Sequence, residues 1–461
     1  MAKYAVIGAG WAGCSAAVEL AKKGHQVELF EAARTLGGRA RQWHYDGLTL
    51  DNGQHILLGA YRDTLALLRT IGVNPDAALM RLPLQMCYPR DVQGAYTLGT
   101  GMEFIAPKLP APFHVLVALL RANGIRREDK MALARFSSTV RWMDWHLHTD
   151  CSVAELLVRF DQTDHLIRLL WQPLCVAALN TPIASASAQV FLNVLKESLG
   201  ARRAASDMLI PRCDLSSLLP DPATAYIVAR GGNVHLGCAI QSITLIHPTQ
   251  KDETGIVSSP QWQLHSAQDA LRVDGVVIAT PAKVAASLLE PLTPHHGIPE
   301  YSYEPITTCY LRYPASVRLE RPFFALLDQP EHNQFGQFVF DRGQFNSDQG
   351  TANQAGLLAV IVSASQAATA QGHAQLAQAL AHQLATTFHR PELMQAQWSQ
   401  VITEKRASFA CTPNLQRPDQ HLNISGLEGI SLAGDYTASP YPATLESAVA
   451  SGIHAASALL R

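Results

Sequence analysis

Three glycines near the N-terminus have the spacing of a nucleotide-binding turn. Gly8, Gly10 and Gly13 lie between a short apolar strand, Lys3 to Ile7, and a helical pattern. Such glycines let the backbone approach a pyrophosphate at the positive end of a helix. Glu31 ends the next predicted strand, where its carboxylate can accept hydrogen bonds from ribose hydroxyls. The pattern predicts a bound dinucleotide, and the alternative is a tight turn without a ligand.

A second stretch places groups that can transfer protons beside an apolar run. The segment DNGQHILLGAY covers Asp51 to Tyr61. His55 is the first candidate proton donor, because an unperturbed imidazole has a pKa of about 6.5. Asp51 and Tyr61 are further candidates, as are Tyr441 and Glu446 near the C-terminus. The alternatives are a histidine that hydrogen-bonds backbone or cofactor, and an Asp51 that stabilises a turn.

The C-terminal region offers a helix start that could face a ligand. LAGDYT, Leu432 to Thr437, precedes a helix predicted from about Pro442 to Leu460. Unpaired amides near Thr444 and Leu445 would present positive charge to a nearby ring. The alternative is a terminal helix that only packs on the sheet.

The elements that must position these groups are spread along the whole chain. Val27–Phe30, Val273–Thr280 and Ile430–Ala433 are predicted strands of one sheet, while the region from Phe104 to Leu199 is mostly helical. Strands are predicted again from Tyr303 to Arg312. We therefore predict an α/β fold, in which a discontinuous Rossmann-type domain accommodates an inserted α+β substrate-binding domain. The first domain is assigned residues 1–85, 205–290 and 405–461, and the second residues 86–204 and 291–404.

Composition excludes several classes of function. The 36 Lys and Arg nearly balance the 38 Asp and Glu, which argues against nucleic-acid binding. The eight cysteines are scattered without zinc-ligand spacing, so no metal site is predicted. The chain enters a strand at once, without room for a signal peptide, and we expect a cytoplasmic protein.

One apolar patch suggests contact with a membrane surface. PFHVLVALL, Pro112 to Leu120, is followed by Arg121, Arg126, Arg127 and Lys130. An apolar wedge with a basic collar suits peripheral docking on the inner face of a membrane. The alternative is a core helix with a solvated, charged end.

Further motifs resemble those of the FAD-dependent amine oxidase and phytoene desaturase superfamily. AARTLGGRAR, Ala32 to Arg41, is similar to its extended dinucleotide signature, and LAGDYT with YPATLESAVASGIHAA is similar to its second flavin motif. ARGGNVHLG resembles its R-G-G turn and strand. The resemblance implies FAD as cofactor, with Arg39 at the phosphates, Asp435 at the ribityl-phosphate portion and Val234 at the adenine. The implied FAD-binding residues are Gly8, Gly10, Trp11, Ala12, Gly13, Glu31, Ala32, Gly37, Gly38, Arg39, Gln54, His55, Val234, Gly434, Asp435, Thr444 and Leu445.

DNGQHILLGAY itself resembles the segment that phytoene-desaturase-type enzymes place between the flavin and an isoprenoid tunnel. LLWQPLCVAALNTP, Leu169 to Pro182, and SAQVFLNVL, Ser187 to Leu195, are most similar to a squalene-associated branch of the superfamily. That branch reductively removes the hydroxyl of a C30 allylic alcohol. The resemblance implies a hydrophobic C30 isoprenoid substrate, a long apolar tunnel, hydride from reduced FAD and an unidentified electron donor.

Three other readings stay open. A carotenoid-type desaturase would run flavin chemistry in the opposite direction, although the block from Leu169 to Pro182 argues against it. An amine oxidase needs an aromatic cage, which a 7% aromatic content does not indicate. A flavin-free isoprenoid-binding protein would not need Gly37, Gly38, Arg39 and Asp435.

Overall fold

A five-stranded parallel sheet carries the predicted nucleotide-binding turn. The computed structural model describes residues 1–91, 93–96, 101–246, 261–345, 354–422 and 428–460. The strands come from all three predicted segments of the Rossmann-type domain, and every pairing between them is parallel. From one edge to the other they are Asn233–Leu236, Gln26–Glu31, Lys3–Ile7, Gly275–Ile278 and Ile430–Leu432. The discontinuous sheet was therefore predicted correctly.

Two helices pack against each other beside this sheet. Trp11–Lys22 follows the glycine turn, and Leu445–Leu459 closes the chain. A Cβ on Gly452 would lie 2.1 Å from the Ala12 carbonyl oxygen, so only glycine permits this approach. Both helix starts differ from prediction. The first begins at Trp11, within the glycine turn rather than after Gly13. The second begins at Leu445 rather than Pro442, because Thr444 and Ser447 form a capping box there.

A five-stranded antiparallel sheet forms the second layer. Its order is Phe323–Ala325, Phe338–Asp341, Leu357–Ser363, Tyr303–Arg312 and Trp398–Phe409. The helix His373–Thr387 covers one face and buries leucines at 376, 380 and 384. The last strand crosses the predicted domain boundary between residues 404 and 405, because its whole length pairs with Tyr303–Arg312. The opposite face of the sheet is turned toward the segment Asp51 to Tyr61.

Helices dominate the region from Phe104 to Leu199, as predicted, although the first begins only at Phe113. They are Phe113–Arg121, Arg127–Trp142, Val153–Arg159, Asp164–Leu166, Gln172–Leu179 and Ala188–Leu195, with a π-helical turn at Ile167–Trp171. Further helices are Arg62–Thr70, Pro75–Ala78, Leu215–Leu218, Pro220–Val228, Ala282–Leu289 and Gln366–Thr369. Two smaller sheets have two strands each: Gln42–Tyr45 with Leu48–Asp51, and Gln85–Cys87 with Glu103–Ile105. Two others have three strands each. In one, Met208–Pro211 lies between Leu57–Leu58 and Leu79–Leu82, and in the other, Gln261–Ser266 lies between Ile240–Ile246 and Ala270–Val273. Among the residues that the structure describes, no helix has the length and apolar character needed to cross a bilayer.

Candidate active site

The three glycines of the N-terminal turn differ in how closely the protein packs against them. A Cβ on Gly8 would lie 2.6 Å from the Ala279 carbonyl oxygen, and one on Gly13 would lie 1.8 Å from that of Gly8. These two glycines are required by the protein's own packing. A Cβ on Gly10 would find Gly38 Cα at 3.9 Å as its nearest neighbour, so this side of the turn is open. An open glycine between two packed ones fits the approach of a pyrophosphate.

Glu31 and the segment around Gly37 close the turn from the other side. The two carboxylate oxygens of Glu31 accept hydrogen bonds from the N–H groups of Ala9 (2.8 Å) and Ala33 (2.9 Å). The Gly37 N–H donates to the Ala9 carbonyl at 2.9 Å. The structure therefore brings Gly10, Glu31 and Gly37 to one edge of the parallel sheet, as the dinucleotide motif predicts.

Arg39 connects the N-terminal motif to the C-terminal one. Its guanidinium donates to Asp435 Oδ1 at 2.6 Å and to the Ala407 carbonyl at 2.7 Å. Asp435 is nearly buried, and the preceding Gly434 has φ of 152°, which favours glycine. Two motifs almost 400 positions apart thus meet through one charged hydrogen bond.

The start of the final helix lies beside the predicted proton-transfer segment. Tyr61 shares a side-chain hydrogen bond with Thr444, and burial raises the pKa of its phenol. The Thr444 N–H donates to Ser447 Oγ at 2.9 Å, so the expectation that this amide is unpaired is wrong. The capping box uses it, while Leu445 is the first residue of the helix.

The other predicted FAD-binding residues hold varied positions. Trp11 is buried and its indole N–H donates to the Ala40 carbonyl at 3.0 Å, while Ala12 is buried in the same helix turn. Ala32 is exposed just beyond Glu31. Val234 lies on the edge strand that pairs with the strand of Glu31. Within the described ranges, no group of His, Cys, Asp and Glu side chains could hold a metal ion.

Asp51 is an anchor for the segment that it begins. One carboxylate oxygen accepts the Leu215 N–H at 2.8 Å, and the other accepts from Arg342 at 3.3 Å. Arg342 also donates to Gln54 Oε1 at 2.8 Å, and Tyr310 donates to the Asp51 carbonyl at 2.9 Å. Burial raises the pKa of Asp51 to about 6, although Arg342 opposes this shift. With both oxygens engaged inside the protein, the carboxyl fixes the geometry of the turn.

His55 is held in one orientation by its own turn. Its Nδ1 lies 2.9 Å from the Gly53 carbonyl oxygen, an acceptor, so Nδ1 carries a proton and donates it. Burial lowers the pKa of His55. At neutral pH the ring is therefore uncharged, and Nε2 is an acceptor rather than an acid.

The sheet face beside His55 is mainly apolar and carries one hydroxyl without a partner among the described residues. Ile56 belongs to a cluster with Ile306, Phe338, Ile361 and Ile402 of the antiparallel sheet. Thr308 stands in the middle of this face, paired across the sheet with Ile361 and Ile402. Its fully buried Oγ1 has no hydrogen-bond partner among the described residues. Thr308 Oγ1 and His55 Cε1 both lie within 4 Å of the position that a Cβ of Gly53 would occupy.

The two C-terminal candidate acids have structural partners. Glu446 accepts from the N–H groups of Asp63 and Thr64, each at 2.9 Å, and from the Thr64 hydroxyl at 2.6 Å. It thereby stabilises the start of the helix Arg62–Thr70, although burial raises its pKa. Burial also raises the pKa of Tyr441, whose carbonyl accepts from Arg417.

Two open cavities lie away from the segment Asp51 to Tyr61. One, of 540 Å³, is lined by Arg126, Asp129, His165 and their neighbours. The other, of 310 Å³, is lined by Gln172, Asp328, Ser363 and their neighbours. Neither is lined by residues 51–61, so these two cavities are not the tunnel that was expected beside His55.

Sequence reasoning missed three residues of the candidate site. Arg342 and Thr308 come from the inserted sheet, and Arg417 donates to the backbone carbonyls of the loop that follows Asp435. Of the three, only Thr308 could have been indicated by the sequence, because alternate residues of a strand share a face and the strand around Thr308 was predicted. Within the block Leu169 to Pro182, Asn180 connects the helical region to the antiparallel sheet, because it donates to the Glu304 carbonyl and to Ser408.

Three known proteins are similar to this chain along almost its whole length. The hydroxysqualene dehydroxylase of Zymomonas mobilis is 28% identical over 98% of this chain and 97% of its own length. The probable zeta-carotene desaturase of Synechococcus elongatus is 24% identical over 99% of this chain and 98% of its own. Cyclohexylamine oxidase from Brevibacterium oxydans shares the fold, with a TM-score of 0.66 at 18% identity over 99% of this chain and 98% of that structure.

A family model described as flavin containing amine oxidoreductase matches residues 11–460. The predicted cofactor, FAD, and the predicted class of FAD-dependent oxidoreductase are thereby confirmed, in agreement with the open glycine turn and the Arg39–Asp435 contact. The fold prediction is confirmed by the same comparisons. The chain belongs to the flavin containing amine oxidoreductase family.

Proposed function

We propose that this enzyme reductively dehydroxylates hydroxysqualene to squalene. The observation that carries the proposal is the wall beside His55, where one unpartnered hydroxyl stands in an apolar sheet face. A long hydrocarbon with one reacting oxygen needs such a surface, mostly apolar with few polar groups. The full-length similarity to the Zymomonas mobilis dehydroxylase supports the same substrate.

The proposed reaction replaces one C–O bond by one C–H bond. A proton joins the departing hydroxyl to give water, and a hydride joins the allylic carbon, so that atoms and charge balance. Bound FAD supplies the hydride when it is reduced. The apolar wall around Ile306 and Ile402 keeps other water from the allylic cation. Thr308 Oγ1 and His55 Nε2 provide polar contacts that orient the hydroxyl before it leaves.

The proton donor is the step on which the candidate residues differ. A neutral His55 already donates its one N–H proton to Gly53, and Asp51 has both oxygens engaged. Tyr61 has a phenol proton at neutral pH and is the remaining one of the three candidates with a proton to donate, although burial raises its pKa and so makes it a weaker acid than a free phenol. We therefore favour Tyr61 over His55 and Asp51 as the acid.

The proposal is tested anaerobically with the FAD-loaded protein. The flavin is photoreduced, which removes the need for the unidentified electron donor, and hydroxysqualene is then added. We expect the oxidised flavin absorbance to return while an equal amount of squalene appears in the extracted lipid. A reduced flavin that stays reduced in the presence of hydroxysqualene would contradict the proposal.

A carotenoid-type desaturase is the second candidate. The full-length similarity to the Synechococcus elongatus protein favours it, because that protein is named for the desaturation of zeta-carotene. This candidate predicts the opposite electron flow. Oxidised flavin would then bleach when phytoene or zeta-carotene is added, with a polyene of longer conjugation as product.

A further inference from the structure

One surface of the helical region is both apolar and exposed. In the helix Phe113–Arg121 the exposed side chains are Phe113 (56%), Leu116 (47%) and Leu120 (64%). Their spacing of three and four residues places them on one face of the helix. Leu109, just before the helix, is also exposed. These four side chains form what we call the wedge.

Positive charge surrounds the wedge without negative charge in the same segment. Lys108, Arg121, Arg126 and Arg127 lie between residues 104 and 127, a stretch that contains no Asp or Glu. All four are exposed. Arg126 forms an ion pair at 3.2 Å with the exposed Glu128, just beyond this stretch, whereas Lys108, Arg121 and Arg127 have no ion pair within the described residues. We call these four cations the collar. Lys130 Nζ donates to the Leu120 carbonyl at 2.8 Å, which ties the next helix to the end of the wedge helix.

The opposite face of the wedge helix contacts the structure that supports the candidate active site. His114 is fully buried, and its Nε2 lies 3.2 Å from Ser206 Oγ. The neighbouring Asp207 carbonyl accepts the Gly59 N–H at 2.8 Å, and a Cβ on Gly59 would lie 1.7 Å from the Ala204 carbonyl oxygen. One layer of backbone thus separates the wedge from the segment that holds His55.

We infer that the wedge and its collar dock this enzyme on the surface of an anionic lipid bilayer. An apolar helix face that enters the acyl boundary, with cations at the level of the phosphates, is the arrangement that binds such surfaces. The charge pattern selects this occupant over a neutral hydrophobic partner. Only the advantage of docking rests on the proposed function: a lipid-soluble substrate could enter the enzyme directly from the bilayer.

The test is co-sedimentation of the FAD-loaded protein with vesicles, without substrate. Vesicles of phosphatidylcholine alone are compared with vesicles that also contain phosphatidylglycerol. We expect wild type to bind the anionic vesicles. Leu116→Ser with Leu120→Ser should weaken that binding at least tenfold. Arg121→Glu with Arg127→Glu should weaken it at least 25-fold, because each cation near an anionic surface contributes about fivefold.

Matched controls change similar residues outside the wedge and the collar. Val284→Ser with Met394→Ser alters two apolar side chains of comparable exposure, and Lys283→Glu with Arg318→Glu reverses two exposed cations. Both controls should bind as wild type does. Wild-type binding by either the wedge or the collar variant would overturn the inference. So would a wild-type protein that ignores vesicles and instead forms dimers that the wedge variant abolishes.

A second measurement separates docking from chemistry. With hydroxysqualene in detergent micelles, the wedge and collar variants should turn over at the wild-type rate, whereas with substrate in anionic vesicles they should be at least tenfold slower. Equal loss in both presentations would overturn the inference. If wild type converts no hydroxysqualene in micelles, the proposed function fails, and the vesicle binding still decides docking.

Discussion

Replacement of Thr308 by valine should stabilise the ligand-free protein and slow the reaction. Valine has nearly the shape of threonine and also suits a strand, so the change removes little except the hydroxyl. A buried hydroxyl without a partner costs about 1–3 kcal/mol. Because Thr308 Oγ1 has none among the described residues, removing it should recover part of that cost.

The expected magnitudes are small for stability and larger for turnover. We expect the free energy of unfolding of the ligand-free protein to rise by about 1–2 kcal/mol. For a chain of 461 residues this raises Tm by about 1 °C for each kcal/mol. If Thr308 donates to or accepts from the substrate hydroxyl, kcat/KM should fall about tenfold, the value of one hydrogen bond.

The adjacent residue supplies the control. Thr307 is as buried as Thr308, but its hydroxyl lies 2.8 Å from Ser365 Oγ and 2.9 Å from Thr403 Oγ1 on the other face of the sheet. Thr307→Val should therefore lower Tm and spare kcat/KM, the opposite of Thr308→Val. The assays are thermal unfolding after removal of FAD and single-turnover oxidation of the photoreduced enzyme. If Thr308→Val destabilises the protein as Thr307→Val does, or leaves turnover unchanged, our reasoning about the orphan hydroxyl is wrong.

Three further predictions concern charge and protons. Arg39→Ala should reduce FAD affinity by at least about 30-fold, because it leaves the nearly buried Asp435 without its 2.6 Å partner. Fluorescence titration with FAD measures this affinity, and an unchanged affinity would contradict the assignment of Arg39 to the FAD site. Burial raises the pKa of Asp51 to about 6, above its unfolded value near 3.9, so its stabilising contribution is present below pH 4 and lost as pH rises through 6. Asp51→Asn should not show this loss of about 3 kcal/mol. The free energy of unfolding, measured at pH 4 and pH 7, should therefore fall less between the two pH values for the variant than for wild type. An equal change in both proteins would refute the prediction. Tyr61→Phe should lower kcat at least 100-fold and His55→Gln less than tenfold, and the reverse order in stopped-flow measurements would identify His55 as the acid.

The parts of the fold that were predictable depend on local sequence. The glycine turn and Glu31 lie within one strand–helix–strand unit, so spacing alone indicates their geometry. Asp435 was recognisable by its motif, but no spacing rule gives the 2.6 Å contact with Arg39. The final helix was placed too early because the capping box at Thr444 outweighs the preference of Pro442 for a first turn.

The residues that escaped prediction come from the inserted sheet. Arg342 lies 291 positions from Asp51, and its contact depends on how Phe338–Asp341 pairs with Leu357–Ser363. Thr308 looks like any threonine in a strand until the register shows which face it shares with Ile361. Strand register is fixed by tertiary packing, so partners at this distance cannot be read from a single sequence.

The pairing of Asp51 with Arg342 limits how this enzyme can be divided. The carboxylate belongs to the nucleotide-binding part and the guanidinium to the inserted part, and both are almost completely buried. An inserted part that lacked the guanidinium would leave Asp51 as a buried charge without its counter-ion, at a cost of about 3–5 kcal/mol. Chimaeras that exchange the inserted part should therefore be stable only when the new part supplies a cation that can pair with Asp51, so this contact constrains which two parts can be combined.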